Sequence, residues 1–87
     1  MKLARVIGTV TATVRVSGLT GQKLLLVNAV DAAGKVLEQA RVAVDAIGAG
    51  PGDLCLMTEG SSARLPASVA GLPVNATLIA IVDTVST

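Results

Sequence analysis

VAVDAIGAGPGDLCLMTEGSSAR, residues 42–64, carries the reading of the fold. It opens on the end of a strand, turns through Gly48-Ala-Gly-Pro-Gly52 and resumes as a strand from Asp53 to Thr58. A small polar loop, Gly60-Ser-Ser-Ala-Arg64, follows. Short apolar runs bounded by glycine and polar residues are the signature of strands joined by tight turns. The spacing Gly48-x-Gly50-x-Gly52 brushes against a phosphate-binding loop. Such a loop must open a helix whose first amides hold the anion. Here the next residues, DLCLMT, have strand character, and the lysine of a P-loop is missing. A turn whose glycines meet backbone angles, stiffened by Pro51, is the favoured reading.

Outward from this stretch the signal stays β. From Ala4 to Val16 the even positions are small or apolar, while the odd ones include Arg5, Thr9, Thr11, Thr13 and Arg15. That alternation predicts one long strand with a buried and a solvated face. Gly8 lies within it, where a strand bends or another backbone approaches. Ser17 to Gln22 reads as a turn, and Lys23 to Val30, nearly continuous in apolar character, as a strand covered on both sides. Asp31-Ala-Ala-Gly34 is a hairpin loop with glycine where a positive φ is expected. Val36 to Asp45 is the third strand. Pro66 and Pro73 bracket a piece that holds one helical turn at Ala67 to Ala70. The last strand, Ala76 to Val85, is apolar on both faces, with Leu78, Ala80 and Val82 on one and Ile79, Ile81 and Val85 on the other. Five strands with one short helical turn predict an all-β fold, a small closed barrel of OB-like type, as a single domain over residues 1–87.

Composition narrows the function classes. A chain of 87 residues buries only about 60–65% of its unfolded surface. Yet 52% of its residues are hydrophobic and its mean hydropathy is +0.73. No run approaches the roughly 18–20 apolar residues of a membrane span. Arg5 and the threonines interrupt the N-terminal stretch, which lacks the apolar core of a signal peptide. Burial between identical subunits is the simplest destination for the surplus apolar surface.

Phe, Trp, Tyr and His are all absent. Single-stranded nucleic acid therefore loses its usual stacking platforms, and a net charge of +1 offers no phosphate-tracking excess. The single cysteine, Cys55, excludes an internal disulfide and argues against a zinc cluster; it reads as a small core residue. Ser61 and Ser62 have no histidine to serve as base and do not match a nucleophile elbow. Asp45, Asp53 and Asp83 flank strand ends, where carboxylates are mostly solvated or ion-paired. No catalytic residue, cofactor or metal site is expected. The functional alternative for the Gly60–Arg64 loop is that Ser61, Ser62 and Arg64 of several subunits meet around an axis and present donors to water or anions.

An ordered set of short motifs runs along the chain: Leu3-x-Arg5-Val6-Ile7-Gly8-x-Val10, Gly21-x-Lys23-Leu24-Leu25-Leu26-Val27 and Val42-Ala-Val-Asp45. It continues with Gly48-Ala-Gly50-x-Gly52-Asp53, Gly60-Ser-Ser-Ala-Arg64, Pro73-Val74-x-Ala76 and Ile79-x-Ile81-Val82-Asp83. This set strongly resembles the bacterial microcompartment vertex proteins of the EutN/CcmL type. The resemblance implies a cyclic homopentamer of OB-like barrels in the shell of a microcompartment in the bacterial cytoplasm. Its partners there would be hexameric shell proteins, with no nucleic acid and no membrane. It further implies a mechanism made of geometry, in which five-fold units let a hexagonal sheet close. On this reading Ile79 and Ile81 are the candidates for the contact with the neighbouring subunit, and one of them lies on it. An OB-type nucleic-acid-binding module is the second reading, and fold analogy alone favours it.

Overall fold

A computed structural model describes residues 1–13, 19, 21–70 and 74–87. The strands are β1 (Lys2–Val10), β2 (Lys23–Val30), β3 (Val36–Asp45), β4 (Leu54–Glu59) and β5 (Ala76–Ile81). Two 3₁₀ turns, Gly60–Arg64 and Ala67–Val69, lie between β4 and β5. The strands close into a barrel in the order β1-β2-β3-β5-β4. β1, β2 and β3 form an antiparallel meander, β4 pairs antiparallel with both β1 and β5, and β3 meets β5 in parallel. The expected all-β barrel is therefore the fold, and β2 and β3 have the expected limits.

The barrel interior explains the missing aromatics. A barrel of so few strands has a narrow lumen that side chains must fill completely. Ala4, Ala29, Ala43 and Cys55 supply small volumes around Leu25, Met57 and Leu78, all almost wholly buried. A phenylalanine at any of these small positions would overpack the space. A second apolar cluster lies outside the wall, where Val44 packs with Val69 of the second 3₁₀ turn and Val74, joined by Leu19 and Leu24.

Bulges in β1 and β5 break the simple alternation read from the sequence. Val6 pairs with Val27 and Gly8 with Leu26, so Ile7 is an extra residue and is half exposed. Past it, Thr9 and Val10 stand opposite Leu25 and Leu24, with their faces exchanged. β1 ends at Val10, well before the expected Val16. Val14 to Val16, and most of the predicted turn after them, fall outside the described residues. On β5, Leu78 pairs with Met57 and Ala80 with Leu56, which leaves Ile79 as the extra residue. Ile81 then stands opposite Cys55, a core residue, so Ile79 and Ile81 do not share one outer face as the alternation predicted. β5 ends at Ile81 and not at Val85, because its partner β4 begins at Leu54, whose carbonyl accepts the Val82 N–H at 2.8 Å.

Candidate functional site

The Gly48–Gly52 turn is built around an acid. Asp45, its side chain 1% exposed, accepts at Oδ1 from the backbone N–H groups of Ile47 (3.0 Å), Gly48 (3.0 Å) and Ala49 (3.2 Å). Its other oxygen lies 3.4 Å from Lys23 Nζ, which also donates to the Ala49 carbonyl at 2.6 Å. Asp53 takes the Gly50 N–H at 2.9 Å. The amides that a phosphate loop would offer to a ligand are thus satisfied by this chain's own carboxylates. Gly48 and Gly52 have φ of 81° and 91°, which L side chains rarely adopt, so the glycine spacing follows from backbone geometry. Cys55 is fully buried, and burial first, then Asp53 and Asp45, pushes its thiol up, away from the reactive thiolate.

The Gly60–Arg64 segment, in the sequence a small polar loop, folds as a 3₁₀ turn. Gly60 enters it with φ 65°. Ser62 Oγ donates to the Glu59 carbonyl at 2.7 Å and shares a 2.6 Å hydrogen bond with Thr58 Oγ1. The turn is then fastened to the approach of β5. The Gly60 N–H donates to the Asn75 carbonyl (3.0 Å), Arg64 Nη1 to the Val74 carbonyl (2.9 Å), and fully buried Thr77 Oγ1 to the Ala63 carbonyl (2.6 Å). Ser62 and Arg64 therefore shape the loop within the chain, while Ser61 stands exposed beside them. Among the described residues no activating base is hydrogen-bonded to either serine. Nothing local in the sequence ties Thr77 to this loop; its one signal is a hydroxyl in an otherwise apolar strand.

A quartet of charges closes one mouth of the barrel. Glu38 stands opposite Ala29, Arg41 opposite Val27 and Lys2 opposite Met57, all core residues, and Glu59 follows Met57 on the same face. Lys2 bridges Glu38 and, at 3.1 Å, Glu59; Arg41 bridges Glu59 at 2.7 Å and Glu38 at 3.2 Å. The hydrogen bond from Lys2 holds the Glu38 carboxyl below its ordinary range, and that from Arg41 does the same for Glu59. Three further cations are similarly engaged. Lys23 pairs with Asp45, and Arg5 and Arg64 donate to carbonyls. An array of free cations along a groove, as a nucleic-acid backbone requires, is not what this charge distribution supplies.

The apolar surface collects elsewhere. Val36, Leu37 and Val42 on β3, Ile81 at the end of β5 and Val85 beyond it are 40–61% exposed. An open groove of about 370 Å³ runs between β3 and the approach to β5, past Val42, Val44, Val74 and Ala76. Ile79 is partly buried at its bulge. What the surface offers is contact area and not reactive chemistry.

Comparison with known proteins agrees. The family described as ethanolamine utilisation protein EutN/carboxysome matches residues 1–83. The chain belongs to this EutN/CcmL family of shell vertex proteins. It is 43% identical over 86 residues to the carboxysome shell vertex protein CcmL of Synechocystis sp., covering 99% of this chain and 86% of that one. It is 47% identical over 85 residues to the microcompartment shell vertex protein EutN of Salmonella typhimurium, covering 98% and 86%. The solved GrpN pentameric microcompartment shell protein of Rhodospirillum rubrum superposes with a TM-score of 0.90 at 38% identity, covering 100% of this chain and 99% of that one. The EutN/CcmL motifs seen in the sequence now have physical causes. The Gly48–Gly52 motif is the Asp45-centred turn, and the Gly60–Arg64 motif is the 3₁₀ turn that fastens β4 to β5. Its relatives carry a structural role, and this EutN/CcmL chain is a structural shell component rather than an enzyme.

Proposed function

We propose that this chain forms a cyclic homopentamer that caps the five-fold vertices of a polyhedral bacterial microcompartment, contacting hexameric shell proteins at its rim. The observation that carries this reading is the end-to-end match to shell vertex proteins, on a barrel whose two motif-bearing turns are fastened internally. A flat hexagonal sheet cannot close, and five-fold units supply the missing curvature. Ring formation needs a heterologous contact whose rotation closes. Ile79 and Ile81 lie on that contact, and Ser61, exposed on the turn that Ser62 and Arg64 shape, faces the ring axis.

Deletion in the host tests this role. Shell sheets should still assemble but fail to close at corners, giving elongated or open compartments by electron microscopy while the enclosed enzymes stay active. Closed shells of normal shape would contradict it.

A further inference from the structure

The barrel is laddered all round except at one seam. β3 and β5 pair only at Val44–Thr77 and Asp45–Leu78, with the Ala46 N–H reaching the Leu78 carbonyl at 3.3 Å. Because the two strands run parallel and overlap only there, each has an overhang. β3 runs from Val36 to Ala43 before it meets β5, and β5 continues from Ile79 after it leaves β3. Neither overhang has a strand partner on its seam side among the described residues. An unpaired edge is a template for another strand.

Three observations say what covers these edges. Of the eight large apolar side chains exposed among the described residues, four lie on these edges, Val36, Leu37 and Val42 on the first and Ile81 on the second, and Val85 follows β5. The two edges differ, as a heterologous ring contact requires. They also carry complementary unpaired charges, since Lys35 begins the first and Asp83 follows the second, and neither makes an ion pair among the described residues. An antiparallel alignment that sets Leu37 against Ile81 also sets Lys35 against Asp83. A parallel alignment of the same leucine and isoleucine would put Lys35 against Ile79 and Asp83 against Gln39. The antiparallel ladder is in addition the slightly more stable one per residue.

We infer that the Ile79–Asp83 segment of one subunit pairs antiparallel with the Lys35–Gln39 edge of the next, so that each ring contact extends one barrel by a strand of its neighbour. The inference rests on the homopentamer proposed above and names its contact.

Cysteines placed at opposite residues of an antiparallel pair are within disulfide reach. The full-length double variant Lys35→Cys/Asp83→Cys, mildly oxidised, should give a ladder of covalent species on a denaturing, non-reducing gel, up to five subunits. Each single variant should give no ladder. In parallel, Lys35→Asp should weaken association at low salt by tenfold or more, and Asp83→Lys added to it should restore at least half of that loss. A pentamer by native mass spectrometry with no ladder, and no rescue by the charge swap, overturns the strand pairing and leaves the pentamer standing. A wild-type chain that is monomeric overturns both.

Discussion

One side of the barrel is held by backbone and the other by side chains. Through β1, β2 and β3 the antiparallel register runs nearly the full strand length, interrupted only by bulges. At the β3–β5 seam the ladder shrinks to Val44–Thr77 and Asp45–Leu78. Beyond it, β3 is tied to β4 by Arg41–Glu59 and to β1 by Lys2–Glu38, across the gap where β5 has not yet begun. At its start β5 is held by Thr77, which reaches the Ala63 carbonyl, and by Arg64, which reaches the carbonyl of Val74 just before it. A closed barrel with a thin seam can present free edges and apolar surface there without losing its core. That is a useful property for a subunit whose work is contact with copies of itself.

The comparison can be broken most forcefully at Leu78, which is fully buried and sits at the junction itself. Leu78→Ala and Leu25→Ala both remove a buried leucine, and each should cost about 2–5 kcal/mol in denaturant unfolding at fixed protomer concentration. Only Leu78→Ala should also speed amide exchange at Val44 to Ala46. Equal exchange in the two variants would mean that the seam is no weaker than the meander.

Thr77→Val comes next. It keeps the shape and deletes the 2.6 Å hydrogen bond to Ala63, leaving a buried carbonyl short of a donor, at a cost of about 1–3 kcal/mol. A midpoint unchanged from wild type would remove Thr77 from the account of how the seam is fastened.

Glu59→Gln sharpens the electrostatic part. The loss at neutral pH should be about 0.5–1 kcal/mol, since the pair is only partly buried. Glu38 and Glu59 titrate below the ordinary carboxylate value of 4.5 in the folded chain. Their contribution is therefore complete above that value and disappears as the pH falls through the lower folded values. Thermal melts at neutral pH and near pH 3 should differ less for Glu59→Gln than for wild type. An identical acid dependence would contradict a clasp made by these carboxylates.

The smallest effect is expected at Ala40, which bulges from β3 with φ 55° while its N–H is taken by Asn28 Oδ1 at 2.9 Å. An L residue is strained there and glycine is not, so Ala40→Gly should raise stability by less than about 1 kcal/mol despite the added freedom of the unfolded chain. Destabilisation would place the strain elsewhere.

Much of this was legible in the sequence. Glycine-bounded apolar runs located β2 and β3 at their full length, because hydrophobic period and turn chemistry agree there. The bulges at Ile7 and Ile79 were not legible, since an extra residue leaves no mark in composition and only pairing reveals the exchanged faces. The 3₁₀ turn at Gly60–Arg64 escaped for a related reason: the side chains that fasten it are Thr58, Ser62 and Thr77, two of which lie on strands. Asp45 was read as a strand-end carboxylate, solvated or ion-paired. It does pair with Lys23, but its deeper role as the centre of the glycine turn depends on three amides that only the folded loop brings together. The ionic quartet joins residues 2, 38, 41 and 59, which no local window connects.

The central claim is that the apolar seam exists to join copies of this chain into a ring. Native mass spectrometry of the purified full chain at micromolar concentration tests it most directly. The account predicts one dominant species of five 8.6 kDa protomers, lost when Ile81→Asp places an unpaired charge on the contact. A wild-type chain that is only monomer or dimer under those conditions would contradict it.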